Sequence, residues 1–315
     1  MNNVLITGCA GFIGSHTADL FVEKGHSVIG VDCLTYAGNL SNVHRSVKLF
    51  TTDICNTSRM LEICHEFNID HIVNFAAETH VDNSILGHDS FIHSNVQGVK
   101  SLLEVCKSKD IPLIHISTDE VYGPIRNGSF DENSKLNPQN HYSATKAAAE
   151  HLISAYYNTF DVQYLIVRMG NNYGPRQHKE KFIPTILNSL KNSQKIPLYG
   201  DGKNIRDWIY VKDSARAIYS LATRSHPNQT YNLSFKDERE NVEVVKIILD
   251  ELNLPFDDHV SFVEDRLGHD FRYSITNDKM MQFIDFNPTD FITGMMETIR
   301  LSVNGDMPPT GTDLK

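Results

Sequence analysis

Short runs of β-branched and apolar residues alternate with segments of helical period through the first half of the chain. Parallel strands need a crossover segment between them, and that segment is usually a helix. The alternation therefore predicts an α/β protein whose parallel sheet is covered by helices on both faces. We expect strands at residues 3–7, 27–32, 48–52, 71–76, 112–118 and 163–168, and helices at residues 12–24, 58–67, 89–109 and 142–158.

The composition narrows the class of function. The chain has 315 residues and a formal net charge of -10, so its surface as a whole repels nucleic acids and anionic lipids. No apolar run approaches the ~18 residues of a membrane span. The five cysteines form no Cys-x-x-Cys pair, which argues against a disulfide framework and a zinc site. We expect a cytoplasmic protein with no nucleic-acid, membrane or metal partner.

The turn after the first predicted strand is rich in glycine. Its sequence, Gly8-Cys9-Ala10-Gly11-Phe12-Ile13-Gly14, opens the first predicted helix. Backbone N–H groups at such a helix N-terminus face a pyrophosphate without a Cβ in the way. Asp32 ends the second strand, where a carboxylate accepts hydrogen bonds from an adenosine ribose and repels a 2′-phosphate, so NAD is favoured over NADP. The alternatives are a plain tight turn and a solvated strand end, and Asp53-Ile54 either flanks the adenine or forms an ordinary turn.

These features together predict a Rossmann-type doubly wound parallel sheet with a smaller C-terminal lobe. Beyond residue 171, proline and glycine interrupt shorter elements, with helices expected at residues 212–223, 241–252 and 289–303. We expect residues 1–170 to form a NAD-binding domain, to which the chain returns from about residue 205 to residue 235. Residues 171–315 should mainly form an α/β lobe that binds the substrate.

Two groups of side chains mark a catalytic site. Tyr142 and Lys146 lie at i and i+4 on one helix face, close enough for the ammonium to stabilise a tyrosinate, although the same spacing is common in surface pairs. The fifth strand ends in Thr118, Asp119 and Glu120, at the carboxyl edge where open α/β sheets bind ligands. Thr118 is placed to bridge a sugar hydroxyl and the tyrosinate. The two carboxyls offer an acid and a base besides, although neighbours in a regular strand point to opposite faces.

These residues carry a resemblance. The glycine turn, Asn74-Phe75-Ala76-Ala77, Ser117-Thr118 and Tyr142-x-x-x-Lys146 together resemble the extended short-chain dehydrogenase/reductase family that acts on nucleotide sugars. Within that family the chain is similar to the dTDP-glucose 4,6-dehydratases. The segments that match, between about residue 3 and about residue 285, are residues 32–39, 77–82, 118–120, 171–175, 180–184, 205–211 and 265–270.

The resemblance implies a set of site residues. The implied catalytic residues are Thr118, Asp119, Glu120, Tyr142 and Lys146. The implied NAD contacts are Gly8, Gly11, Phe12, Ile13, Gly14, Asp32, Leu34, Thr35, Gly38, Asp53, Ile54, Ala76, Ala77, Thr79, Asn95, Tyr142 and Lys146. The implied nucleotide-sugar contacts are His80, Thr118, Asn171, Lys181, Arg206, Asn232, Arg266 and His269.

A mechanism is implied as well. Tyr142 removes the proton of the sugar 4-hydroxyl while C4 passes a hydride to NAD⁺. Glu120 then removes the C5 proton, a protonated Asp119 donates to the leaving 6-hydroxyl, the hydride returns to C6 and C5 is reprotonated. Mutual repulsion between two close carboxyls favours one of them keeping its proton. Lys146 is expected to lower the pKa of Tyr142 and to hold the nicotinamide ribose.

The substrate is less constrained than the chemistry. Residues 176–206 carry seven Lys and Arg residues against two Asp and Glu residues, an excess expected where a nucleotide diphosphate binds. Lys191 and Lys195 fit equally well on a solvated helix face. Residues 169–170 and 176–179 depart from the usual dTDP-glucose dehydratase pattern, so both dTDP-glucose and UDP-glucose remain candidate substrates.

Other functions stay open at this point. A UDP-N-acetylglucosamine 5,6-dehydratase would use similar machinery. A nucleotide-sugar 4-epimerase would carry a small or hydroxyl residue in place of Asp119 or Glu120. A non-catalytic NAD-binding scaffold would need neither Tyr142 nor Lys146. In relatives, the helices equivalent to residues 89–109 and 142–158 form a dimer bundle, so a homodimer is expected.

Overall fold

The computed structural model describes residues 1–80, 84, 87–265 and 270–303, and it has each predicted helix and strand within about two residues of its predicted bounds, together with elements that were not predicted. The strands are β1 (Asn3–Thr7), β2 (Ser27–Asp32), β3 (Lys48–Thr51), β4 (His71–Asn74), β5 (Leu113–Thr118), β6 (Tyr164–Met169), β7 (Asn171–Tyr173), β8 (Ile196–Tyr199), β9 (Ile205–Tyr210), β10 (Gln229–Leu233), β11 (Glu238–Glu240) and β12 (Val260–Val263). The helices are α1 (Phe12–Glu23), α2 (Thr57–Glu66), α3 (Gly98–Lys109), α4 (His141–Phe160), α5 (Phe182–Lys191), α6 (Val211–Arg224), α7 (Asn241–Glu251), α8 (Phe256–His259), α9 (Asp278–Met281) and α10 (Phe291–Val303).

A seven-stranded sheet with the order β10-β6-β5-β4-β1-β2-β3 forms the centre of the fold. Every neighbouring pair in it is parallel. The chain passes from β1 to β2 and β3 on one side and resumes with β4 on the other. Crossovers therefore leave β1 in opposite directions, which opens a crevice at the carboxyl ends of β1 and β4. The predicted doubly wound parallel sheet is confirmed.

Both faces of the sheet are buried, as the continuous apolar strands require. Ile6 on β1 contributes to a core cluster with Phe21 of α1 and Ile218 of α6. The adjacent Leu5 contributes to the cluster on the other face, with Leu102 of α3 and other residues of α2, α3 and α4. Neighbouring side chains of a strand point to opposite faces, so a single apolar run supplies both layers.

The predicted helix over residues 89–109 is present but not uniform. A helical turn at Asp89–Phe91 continues through a π-helical segment, Ile92–Gln97, into α3. Such segments are often found at functional sites. Here it carries Asn95, which lies beside the crevice.

The C-terminal lobe has its own core. A three-stranded sheet, β11-β9-β7, and the pair β12-β8 surround a cluster that includes Ile186, Trp208 and Ile248. The chain returns to the main sheet with α6 and β10, because Ile218 packs on that sheet and β10 pairs with β6. Before α6, β9 pairs within the small sheet, while its residue Ile209 joins the core cluster of the main sheet.

No helix among the described residues has the length and apolar character needed to cross a membrane.

Candidate active site

A cavity of about 270 Å³ lies at the carboxyl edge of the main sheet, between the glycine turn and the C-terminal lobe. The sequence-predicted residues that line it are Gly8, Gly11, Phe12, Ile13, Gly14, Ala77, Thr79, Thr118, Asp119, Glu120, Tyr142, Lys146, Asn171 and Lys181. Segments that lie far apart in sequence thus meet at one site.

The glycine turn is packed against the backbone around it. Gly8 has a φ of +66°, and a Cβ there would lie 2.7 Å from the backbone nitrogen of Ala76. A Cβ on Gly14 would lie 2.2 Å from the carbonyl oxygen of Gly8. Gly11 is the N-cap of α1 and brings no side chain to its first turn. The turn therefore presents helix N–H groups to the cavity, which fits the pyrophosphate of a dinucleotide.

Asp32 fixes this turn from the end of β2. Its Oδ2 accepts a hydrogen bond from the backbone nitrogen of Ala10 at 3.0 Å, and its Oδ1 accepts one from Leu34 at 2.8 Å. Burial raises the pKa of Asp32, while these two backbone donors oppose the shift. Each carboxylate oxygen keeps a lone pair for a ribose hydroxyl. In the following loop, the backbone nitrogen of Gly38 donates to the carbonyl oxygen of Thr35 at 3.0 Å.

The other predicted cofactor contacts support the site from outside the cavity. Asp53 pairs with His93, with 2.9 Å between Oδ2 and Nε2, and Ile54 is buried against Gly98. The side chain of Asn95 accepts from the backbone nitrogen of Glu78 at 2.9 Å and donates to its carbonyl oxygen at 3.0 Å. It therefore holds the loop after β4 in place.

Tyr142 and Lys146 both lie in the first turns of α4 and are buried. Burial raises the pKa of Tyr142, and the carboxyls of Glu120 and Asp119 raise it further, while a hydrogen bond from Thr118 lowers it. Nζ of Lys146 donates to the carbonyl oxygen of Ile116 at 2.6 Å and lies 3.4 Å from Nε2 of His115. Without ligands, the site thus raises the pKa of Tyr142, contrary to the lowering expected from Lys146. Burial is the main cause of the raised pKa, and the charges that add to it are the carboxylates of Glu120 and Asp119.

Asp119 is almost completely buried. Burial, followed by the repulsion of Glu120 and Asp207, raises the pKa of Asp119 to about 8, although Arg206 opposes the shift. Thr118 donates a hydrogen bond from Oγ1 to Oδ1 of Asp119 at 3.2 Å. A carboxyl with this environment keeps its proton at neutral pH and is suited to act as an acid.

Glu120 lies next to Asp119 in a 3₁₀ turn, Asp119–Tyr122, which begins where β5 ends. The regular alternation of a strand no longer holds there, so both carboxyls line the cavity. The Nδ2 group of Asn140 donates to Oε2 of Glu120 at 3.1 Å. Asn140 also caps α4 by accepting from the backbone nitrogen of Ser143 at 2.8 Å. The sequence analysis missed this contact, although an asparagine directly before a predicted helix is a signal for a cap.

The predicted substrate contacts separate into two groups. Asn171 and Lys181 line the cavity, and Nζ of Lys181 donates to the carbonyl oxygen of Thr79 at 3.0 Å. His80 lies 3.7 Å from Glu180 and bridges the two lobes there. Arg206 and Asn232 are buried and make their hydrogen bonds within the protein. Arg266 and His269 lie outside the described residues.

The hydrogen-bond partners of Arg206 and Asn232 hold both side chains in place. Arg206 donates to the carbonyl oxygens of Ile205, Asp270 and Phe271 at 2.7 to 3.3 Å, and its guanidinium lies over the ring of Tyr273. Asn232 accepts from the hydroxyl of Tyr122 at 2.8 Å and donates to the carbonyl oxygen of Phe130 at 3.3 Å.

The basic segment at residues 176–206 does not gather at one place. Arg176 pairs with Asp19 of α1 at 2.7 Å, and Lys203 pairs with Asp201 at 3.4 Å. Within that segment, Lys181 is the basic residue that lines the cavity in the described part of the chain. The same segment supplies lining residues that the sequence analysis did not single out, namely Gln177, His178 and Glu180.

Comparisons with known proteins show the family to which this chain belongs. The model of the NAD dependent epimerase/dehydratase family matches residues 4–234. A dTDP-glucose 4,6-dehydratase of Escherichia coli is 38% identical, over 96% of this chain and 93% of its own length. The low-salt glycan biosynthesis protein Agl12 of Haloferax volcanii is 42% identical, over 87% and 89% respectively.

Solved structures give the same result. The dTDP-glucose 4,6-dehydratase DesIV of Streptomyces venezuelae, crystallised with NAD bound, has a TM-score of 0.93 and 36% identity over 98% of this chain and 99% of its own. A UDP-glucose 4-epimerase of Thermotoga maritima has a TM-score of 0.90 at 24% identity, with 97% and 100% covered, which shows a shared fold. This chain belongs to the NAD dependent epimerase/dehydratase family.

Proposed function

We propose that the chain is a NAD-dependent nucleotide-hexose 4,6-dehydratase, a hydro-lyase that converts dTDP-glucose or UDP-glucose to the 4-keto-6-deoxy sugar. The observation that carries the proposal is the pair Asp119 and Glu120 beside Tyr142. An oxidation at C4 needs only a base such as Tyr142, whereas removal of water across C5 and C6 needs a second base and an acid. The raised pKa of Asp119, about 8, supports its part as that acid.

The cofactor site is made by the glycine turn and Asp32. Gly8, Gly11 and Gly14 would receive the pyrophosphate, Asp32 the adenosine ribose, and Lys146 the nicotinamide ribose. When bound, NAD supplies the acceptor that takes the C4 hydride and returns it to C6.

The protein's own groups then move protons. Tyr142 receives the proton of the 4-hydroxyl, Glu120 receives the C5 proton, and Asp119 gives its proton to the leaving 6-hydroxyl. When the hydride reaches C6, Glu120 returns a proton to C5, so that at the end of the reaction Tyr142 holds an extra proton and Asp119 lacks one. Thr118 is hydrogen-bonded to both of these residues, so its hydroxyl offers a route that restores the starting state.

The C-terminal lobe is proposed to bind the nucleotide. Asn171 and Lys181 line the end of the cavity away from the glycine turn, which supports contacts with the substrate there. Residues 171–210 and 238–303, with the described residues of the small sheets, would form this lobe, while residues 1–170 with α6 and β10 would form the NAD-binding domain.

We further propose a cytoplasmic homodimer. The five cysteines are free thiols, as is usual for proteins of a reducing compartment. Ile92, 44% exposed, lies in the π-helical segment before α3, and Phe160, 47% exposed, is the last residue of α4; both are apolar side chains on the helices that the resemblance implies for dimer formation. Light scattering at several concentrations tests this, and a monomer mass at micromolar protein would contradict it.

Incubation with nucleotide sugars in deuterated water tests the activity. dTDP-glucose, UDP-glucose and UDP-N-acetylglucosamine are supplied separately to the purified protein, and the products are weighed by mass spectrometry. We expect loss of one water from a hexose nucleotide with one deuteron at C5, and no such loss with the Asp119→Asn variant.

Three other outcomes of this incubation would each indicate a different function. A water-loss product of the acetamido sugar without deuterium at C5 would indicate a 5,6-dehydratase. An unchanged mass with an altered sugar isomer would indicate a 4-epimerase, and no reaction at all with NAD bound would favour a non-catalytic protein.

A further inference from the structure

A fully buried chain of hydrogen bonds leads from β1 to the catalytic lysine. The hydroxyl of Thr7 donates to Oδ1 of Asn74 at 2.6 Å. Nδ2 of Asn74 lies 3.0 Å from Nδ1 of His115, and Nε2 of His115 lies 3.4 Å from Nζ of Lys146. His115 sits in the middle of β5 with none of its surface exposed. A histidine there needs an explanation, because the neighbouring strand positions are apolar and nothing in the proposed proton transfers uses it.

The direction of the hydrogen bonds in this chain follows from its first member. The backbone nitrogen of Ala76 donates to Oγ1 of Thr7 at 3.3 Å, so the proton of Thr7 is free to go to an acceptor. That acceptor is Oδ1 of Asn74, which turns the amide nitrogen toward His115. Nδ1 of His115 therefore accepts. Burial, with the nearby Lys146, lowers the pKa of His115 well below its ordinary value, so the ring is neutral and its proton lies on Nε2.

The proton on Nε2 points at Lys146. An ammonium group has only donors, so it cannot accept this proton, whereas a neutral amine has a lone pair that can. The amine form also keeps a donor for the carbonyl oxygen of Ile116 at 2.6 Å. Both contacts of Lys146 are therefore satisfied at once only in its uncharged form.

We propose that His115 is a positioning residue for Lys146: its Nε2–H group stabilises the amine form of the lysine, so that the pair Tyr142 and Lys146 loses a proton at a lower pH. This inference rests on the proposed function, because Tyr142 is taken there as the base for the 4-hydroxyl.

Burial and one carboxylate also act on the charge of Lys146. Burial lowers the pKa of Lys146 to about 8, and Glu150, one turn further along α4, opposes that shift. Glu150 is itself held by Arg168 and by Ser117, at 2.6 and 2.5 Å. Asp119 and Glu120 act on Tyr142, where they raise the pKa of the phenol. Glu150 thus favours the charged lysine, whereas burial and the Nε2–H donor of His115 favour the neutral one.

Nitrogen-15 NMR of histidine-labelled protein, without cofactor or substrate, tests the tautomer directly. The resonances of His115 are assigned by their loss in His115→Phe. We expect a neutral ring with its proton on Nε2, unchanged across the pH range in which the protein is folded. A proton on Nδ1 would overturn the inference, since Nε2 would then accept from an ammonium. This readout does not depend on turnover.

The second test is the pH dependence of C4 oxidation, because the proposal concerns how easily the pair Tyr142 and Lys146 loses a proton. The oxidation is followed in a single turnover by the absorbance of the reduced cofactor. The reactive state has lost one proton from the pair Tyr142 and Lys146. Without the His115 donor, this loss needs a higher pH, so His115→Phe should move the acidic limb of the rate profile up by about one pH unit. Thr7→Val removes the hydroxyl that orients the amide of Asn74. It should therefore also move the acidic limb to higher pH, but by less than His115→Phe does.

Ser101→Ala is the control, because it removes a buried hydroxyl that bonds to Thr57 at 2.7 Å and has no route to Lys146. It should leave the limb in place. A uniform loss of rate in His115→Phe with an unmoved limb would mean that the ring only fills space. If His115→Phe does not fold, Thr7→Val and the wild-type NMR spectrum decide. If the wild-type protein dehydrates none of the sugars, the proposed function fails while the tautomer result stands.

Discussion

The two ends of the active-site cavity are built in different ways. The cofactor end is made of backbone: Gly8 and Gly14 leave no space for a Cβ, and Gly11 opens α1 without a side chain. The catalytic end is made of side chains, with the buried Asp119 and Tyr142 and the half-buried Glu120 lining it together. Packing thus determines the first end and electrostatics the second. The two ends should therefore fail differently when they are altered.

The largest effect is expected at the catalytic end, for Tyr142→Phe. Removal of the phenolic oxygen removes the base for C4 oxidation, so the rate should fall about 10³-fold. No reduced cofactor should form when substrate is added, whereas NAD should bind as before. Rapid absorbance measurements of the reduced cofactor check this.

Tyr156→Phe is the matched control for that variant. Tyr156 lies on the same helix, and its hydroxyl donates to Glu104 away from the cavity at 2.5 Å. It should keep the wild-type rate. Formation of reduced cofactor at the normal rate in Tyr142→Phe would contradict the assignment of the base.

At the cofactor end, Gly14→Ala should act on binding. The new Cβ would lie 2.2 Å from the carbonyl oxygen of Gly8, so the backbone of the turn must move. We expect NAD affinity to fall about 100-fold, as for overpacking that costs a few kcal/mol. Calorimetric titration with NAD measures it.

Gly87→Ala serves as the control for Gly14→Ala, because among the described residues, apart from its chain neighbours, no atom lies within 4 Å of a Cβ at Gly87. Its NAD affinity should equal that of the wild type. An unchanged affinity in Gly14→Ala would show that the turn is not a close-fitting cradle.

The same contrast explains what the sequence could predict. The glycine turn and Asp32 lie within one strand–helix–strand unit, so their spacing alone predicts their arrangement, and the alternating segments predict the sheet. Arg206 and Asn232 stay predicted substrate contacts, and their hydrogen bonds within the protein could not be predicted from the sequence. The hydroxyl that bonds to Asn232 belongs to Tyr122, which is 110 positions away. Spacing within a motif contains no information about such a partner.

The protonation of Asp119, at the catalytic end, makes both the stability and the elimination step depend on pH. The pKa of Asp119 is raised from 3.8 to about 8, so the native state keeps a proton that the unfolded state loses above about pH 4. The stability that this proton contributes is full below pH 4 and is lost as the pH rises through about 8. Elimination of water should likewise slow by about tenfold per pH unit above about 8.

Asp119→Asn separates these two effects. The amide stays neutral, so the variant should gain in Tm relative to the wild type between pH 5 and pH 9, while elimination is lost at every pH. Thermal denaturation across that range measures the difference. If the difference in Tm between the variant and the wild type is the same at pH 5 and at pH 9, Asp119 is already ionised in the native state at pH 5.

The smallest expected effect tests Asn140, whose side chain joins the helix N-terminus to the catalytic carboxylate. It accepts from the backbone nitrogen of Ser143 at 2.8 Å and donates to Glu120 at 3.1 Å. Asn140→Ala should lower the free energy of unfolding by about 1 kcal/mol through loss of the cap. Asn140→Ser keeps a capping oxygen but is too short to reach Glu120, so it should keep that stability.

Both variants should slow C5 deprotonation by about three- to tenfold, because a hydrogen bond to a charged group contributes about 1 kcal/mol or more. The oxidised sugar with its reduced cofactor should accumulate, since Tyr142 acts normally. Exchange of the C5 hydrogen with deuterated water, measured by mass spectrometry, gives the rate. If Asn140→Ser exchanges at the wild-type rate, Asn140 only caps α4. The arrangement of Glu120 would then depend on its own 3₁₀ turn, and local backbone would define part of the catalytic end as it does the cofactor end.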